Sequence, residues 1–200
     1  MIVSDPPASF YFDLSSPEAY LAAERILQLL PGPAEWQPVL ASKLRGGGED
    51  EDGLRERIAL RAQELGLQPL RWPDPFPFDS ALAMRVATYA KSIGRAVPFA
   101  QAAFRQAFAG GHSLAETDHV LVAAAACEMH PAAVLRGAGL RSVERELAAQ
   151  TARAARAGII EVPAIGVNGR VFAGERAVED AAAHMSDGVN PVSQPAAVGR

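Results

Sequence analysis

The residues best placed to do chemistry lie in Asp13-Leu14-Ser15-Ser16-Pro17-Glu18, where two hydroxyls and two carboxylates fall at a change of hydrophobic period. Before them, Phe10, Tyr11, Phe12 and Leu14 make a nearly continuous apolar run, the pattern of a strand buried on both faces. After them the helix signals arrive together. Serine is a favoured N-cap, and proline suits the first helical position, where its missing N–H and fixed φ cost nothing. A serine here therefore sits at the positive end of a helix dipole and at the carboxyl end of a central strand, where open α/β sheets keep their ligands. Ser15 and Glu18 also have the S-x-x-E spacing of a capping box, which is a purely structural use of the same residues. Two registers stay open: Ser15 caps and Ser16 enters the first turn, or Ser16 caps and Pro17 takes the first helical position. No histidine is near Ser16 in sequence and no G-x-S-x-G elbow is present. Its hydroxyl should stay protonated and weakly nucleophilic, a hydrogen-bond donor instead of an attacking group.

Other candidates carry less. His112, His119, His130 and His184 are scattered without the spacing of a metal pair, so no metal is expected. The single cysteine, Cys127, excludes an intrachain disulfide; it follows the apolar run Val120 to Ala126 and reads as a small core residue. A formal net charge of -4 and the absence of a basic run give no general attraction to nucleic acid or to an anionic membrane. Nowhere do eighteen apolar residues run uninterrupted, and the first residues lack a basic stretch leading into an apolar one, so a cytoplasmic protein with a small-molecule partner is expected.

The elements that must position Ser16 follow from the same kind of reading. A helix from Pro17 ends at Pro31-Gly32-Pro33, and Glu35 to Leu40 reads as a second strand, with Pro38 placing it near an edge. Arg45 to Gly53 reads as a flexible acidic loop; its glycines make no phosphate cradle, because no Gly-Lys-Ser/Thr follows and its carboxylates would repel an anion. A helix is expected from Asp52 to Gly66, then a proline-rich extended connector over Leu70 to Phe78 that packs or walls a pocket. The following stretch, to about Ala157, reads as helix after helix with no convincing strand, a small bundle inserted into an α/β unit. The sheet returns at Ile159 to Phe172, with Asn168-Gly169 as a hairpin turn, and a helix from about Glu175 to Met185 precedes a flexible tail.

This order of elements resembles the thioredoxin-like fold with a helical insertion, as in the DsbA family. More narrowly, Phe-Tyr-Phe-Asp-Leu-Ser-Ser-Pro at 10 to 17, Gly-Ile-Ile-Glu-Val-Pro-Ala-Ile at 158 to 165 and Val-Asn-Gly-Arg-Val-Phe-Ala-Gly at 167 to 174 resemble 2-hydroxychromene-2-carboxylate isomerases and kappa-class glutathione transferases. The resemblance implies an α/β fold with a discontinuous thioredoxin-like domain at 8–51 and 156–186, a helical insertion at 52–155 and a tail at 187–200. It implies a homodimer using glutathione or another low-molecular-weight thiol as cosubstrate, acting on a small conjugated, aromatic substrate. Ser16-Pro17-Glu18-Ala19 would take the place of the Cys-Pro-x-Cys redox pair, with Ser16 donating a hydrogen bond to the thiol sulfur. Val162 would precede a cis Pro163 and offer its backbone to the thiol's peptide, and Glu175 would hold the glutamyl amine. In the isomerases the thiolate is thought to add transiently to an unsaturated aryl keto acid and so permit rotation about a former double bond. The alternative is a thioredoxin-like binding module without thiol chemistry. The sequence departs from the family at Glu18, where an aromatic residue is usual and a charge would oppose the helix dipole. It departs again at Gly174-Glu175-Arg176, a shortened form of the family's end motif.

Overall fold

The computed structural model describes residues 8–45 and 51–187. Its sheet has four strands in the order β2-β1-β3-β4: β1 is Ala8–Phe12, β2 Ala34–Pro38, β3 Ala164–Val167 and β4 Arg170–Ala173. β1 pairs in parallel with β2 across helix α1, Pro17–Leu29, and antiparallel with β3, which pairs antiparallel with β4. β2 lies at the edge, where the missing N–H of Pro38 breaks no ladder on its outer side. Between β2 and β3 the described residues are helical or irregular: α2 Glu51–Glu64, α3 Ala81–Ser92, α4 Ala96–Phe104, α5 Thr117–Ala125, α6 Pro131–Ala138 and α7 Arg141–Arg156. Helix α8, Ala177–Asp187, packs against α1 and β3. The molecule is thus a mixed α/β fold whose sheet is split by a helical stretch.

Several boundaries differ from the periodic reading, each for a local reason. Pairing resumes at Ala164 and not at Ile159, since Pro163 has no N–H to offer a ladder. α4 starts at Ala96, with Pro98 inside its first turn, where an N–H would have no helical partner anyway. It then widens into a π-helical turn over Arg105–Ala109 before Gly111, at φ 77°. Gly174, at φ 83°, delays the last helix to Ala177. Asp187, expected to open the tail, ends α8; the remainder of that tail and residues 46–50 of the acidic loop lie outside the described residues. The hairpin turn is as the Asn-Gly pair predicts, with Asn168 and Gly169 at φ 49° and 79°.

An aromatic core runs from the sheet to the proline-rich connector. Phe10 and Phe12, both fully buried, meet the edge of Trp36, and Phe12 meets Phe104 at 5.8 Å between centroids. Phe108, from the π-helical turn, stacks on Tyr20 of α1 and touches Trp72, Phe76 and Phe78 of the connector. Such pairs add roughly 0.5–1.5 kcal/mol each beyond area burial, and they tie the connector to the core. Its Asp74–Pro75 and Phe76–Pro77 bonds, and Val162–Pro163, are cis.

Candidate functional site

The turn between β1 and α1 is built on Asp13, whose carboxylate is 1 % exposed. One oxygen, Oδ1, accepts from the Ser15 N–H and the Ser15 hydroxyl, each at 2.9 Å, and the other accepts from the Ala41 N–H at 2.8 Å. The Asp13 carbonyl accepts from the Ser16 N–H at 3.1 Å. A buried carboxylate is tolerable because its lone pairs are used in this way. Ser15 is therefore committed to Asp13, and the second register holds: Ser16 is the N-cap, in extended conformation, and Pro17 takes the first helical position. The Ser16 Oγ accepts from the Ala19 N–H at 3.0 Å and lies 2.9 Å from Glu18 Oε2. A carboxylate only accepts, so the Ser16 hydroxyl donates its proton to Glu18.

The charge of Glu18, which the sequence sets against the helix dipole, is met by an arginine. The other Glu18 oxygen accepts from Arg57 Nη2 at 2.9 Å, and Arg57 Nη1 makes a short ion pair with Glu175. One arginine from α2 thus joins the helix that carries Ser16 to the turn before α8. Ser16, Pro17, Glu18 and Val162 line one cavity of about 630 Å³, together with Glu51, Leu54 and Arg57 of α2 and Phe76 and Pro77 of the connector. The helical stretch supplies one wall, and the turns around the sheet supply the other. Val162 is half-buried and precedes the ladder, whose register begins at Ala164, so its N–H and C=O are not consumed by strand pairing. Pro163 is buried behind it, its carbonyl accepting from the Gly174 N–H at 2.9 Å. Glu175 does not line the Ser16 cavity. It borders a second one of about 440 Å³ with Arg57, Arg61 and Glu56, and Arg57 lines both.

Behind the arginine bridge, Glu179 of α8 accepts from Arg25 of α1 and Arg61 of α2, both at 2.6 Å, tying three helices together. Burial pushes the Glu179 carboxyl up, but the hydrogen bond from Arg25, a backbone hydrogen bond and the charges of Arg25 and Arg61 outweigh it and hold it below its ordinary value. A depressed carboxylate contributes stability above its unfolded-state value and loses it as pH falls through the lowered folded-state one. Glu179→Gln should therefore cost about 1–3 kcal/mol at neutral pH, with the deficit shrinking below about pH 4. Urea unfolding of both proteins across that range checks this; a deficit constant with pH would refute it. Burial pushes the Cys127 thiol up as well, against the charge of Arg95, which fits a core residue.

Two residues that shape the site were missed in the sequence. Asp13 sits in the strand-to-helix turn, and its place immediately before two serines was the available signal. Arg57 lies in a strongly charged helix, where apolar periodicity gives one charge no mark over another. Among the described residues no group of histidine, cysteine, aspartate or glutamate is placed to hold a metal ion, and no helix is long and apolar enough to cross a membrane.

No curated protein matches the sequence. Solved structures do. A 2-hydroxychromene-2-carboxylate isomerase superposes with TM-score 0.82 at 17% identity, over 92% of this chain and 96% of that one. The cytosolic disulfide reductase DsbM from Pseudomonas aeruginosa, with GSH, gives 0.68 at 16% identity, over 92% and 99%. The oxidoreductase DsbA from Xylella fastidiosa gives 0.60 at 15%, over 94% and 86%. At such identities the likeness is one of fold. The model of the DSBA-like thioredoxin domain matches residues 9–186, which spans the sheet, the helical stretch and the Ser16 turn alike, and the chain belongs to that family.

Proposed function

We propose that the chain is a thiol-dependent isomerase or transferase acting on a small conjugated, aromatic substrate as a homodimer, with Ser16, Val162, Pro163 and Glu175 as its working residues. The carrying observation is the placement of Ser16 at the N-cap of α1 in the same cavity as the unpaired backbone edge of Val162. A low-molecular-weight thiol such as glutathione would supply the nucleophilic sulfur. Oriented N–H groups at the helix N-terminus favour an anion there, and a serine in place of a second thiol leaves no partner for disulfide exchange. Val162 would pair with the peptide part of the thiol as an added strand does. Glu175, reaching the cavity only through Arg57, would act by positioning that guanidinium.

The hydrogen bond from Ser16 to Glu18 favours a second reading, a binding module without thiol chemistry, because it uses the proton that the sulfur would need. Thermal unfolding with and without glutathione, together with an assay of 2-hydroxychromene-2-carboxylate isomerisation, separates the two. A ligand at 100 times its Kd stabilises by about 2.7 kcal/mol. Stabilisation with turnover supports the enzyme; neither, at millimolar thiol, leaves the binding module.

A further inference from the structure

We infer that the thiol this site takes carries no net negative charge and presents hydrogen-bond donors, and that glutathione as its free tripeptide is a poor fit. The inference rests on the thiol-dependent reading above and narrows its cosubstrate. Among the described residues the charged side chains lining the cavity are Glu18, Glu51, Glu161 and Arg57, carboxylates in excess of one guanidinium. Arg57 is already engaged by Glu18 on one side and Glu175 on the other, so an incoming carboxylate must displace a resident one to use it. Glu51 pairs with Arg55, whose guanidinium lies over the Trp72 ring at 4.5 Å and the Phe76 ring at 5.8 Å and does not itself line the cavity. Glu161, exposed at the rim, carries no ion pair among the described residues.

The hydroxyl at the centre points the same way. The Ser16 hydroxyl donates to Glu18, so an incoming sulfur must compete with that carboxylate for it. The lining is therefore rich in acceptors and poor in available donors, the complement of a ligand with ammonium, amide or hydroxyl groups. In free glutathione the carboxylates outnumber the ammonium, and in a cavity bounded by apolar Leu54, Phe76 and Ile160 that charge is screened less than in open water.

Calorimetric titration of the full chain with glutathione and with glutathione diethyl ester, at low and high salt, tests this, with Glu161→Gln as the variant. Glu161 is exposed and in no ion pair among the described residues, so the substitution should leave folding intact, which circular dichroism checks. The ester is expected to bind about tenfold more tightly than the free tripeptide at low salt, the scale of one charge pair at cavity distance. The gap should narrow at high salt and in Glu161→Gln. Equal or tighter binding of the free tripeptide overturns the inference and leaves the thiol-dependent reading standing. A preference for the ester unmoved by salt and by the substitution assigns it to the ethyl groups and also overturns the inference. Failure of both compounds to bind at millimolar concentration removes the thiol-dependent reading itself, and the inference with it.

Discussion

Replacing Asp13 by alanine is expected to cost about 2–4 kcal/mol of folding free energy, and activity with it. The substitution strips the Ser15 and Ala41 N–H groups of their acceptor, and a buried donor left unpaired costs about 1–3 kcal/mol. It also frees the Ser15 hydroxyl, so that Ser15 and Ser16 can compete for the cap and the helix start loses its single register. Asp13→Asn separates these effects. It keeps one acceptor oxygen but must turn an NH2 toward either the Ser15 or the Ala41 N–H, donor against donor, so it should fall between wild type and alanine. Urea unfolding gives the order; asparagine as stable as wild type would show that only one of the two oxygens matters.

Ser16→Ala should produce the largest loss of activity. With a thiol bound the Ser16 hydroxyl would turn from Glu18 to the sulfur, and its removal is expected to raise the pKa of the bound thiol and slow turnover on the order of 10²–10³-fold, the scale of losing a donor to a developing anion. Folding should suffer much less, by about 0.5–2 kcal/mol for the lost cap to Ala19. Glu18→Gln should act in the opposite sense. Its amide can donate to Ser16 Oγ, which releases the serine proton toward the sulfur, and it removes a negative charge from the helix N-terminus. The bound thiol should then titrate lower than in wild type. Ultraviolet titration of bound thiolate in the three proteins decides the matter. A thiol pKa unchanged in Ser16→Ala would end the role assigned to Ser16, whatever Glu18→Gln does. One structural cost travels with Glu18→Gln: Arg57 loses the charge it shares between Glu18 and Glu175, so the variant's unfolding must be measured alongside.

How much of this was legible beforehand divides along a physical line. Local signals were reliable where a residue and its chain neighbours decide the outcome: the apolar run of β1, the proline that opens α1, the Asn168-Gly169 turn and the glycine that stops α2 at positive φ. The order of strand, Ser-Pro helix, helical stretch and Val-Pro strand was enough to indicate the family, because that order sets the topology. The site itself was only half visible. Ser16 and Val162 could be singled out, but which serine caps depended on Asp13, and Asp13 depended on the N–H of Ala41, 28 residues away, reaching back under it. The partner of Glu18 was not legible because Arg57 is 39 positions further on, nor was the pairing of Glu175 with Arg57, 118 positions away. Backbone conformation is set mostly by neighbours within a turn or two. The partner of a long charged side chain is set by how helices pack, and only the tertiary structure brought α2 against the starts of α1 and α8, turning three separate charges into one bridge beside the serine.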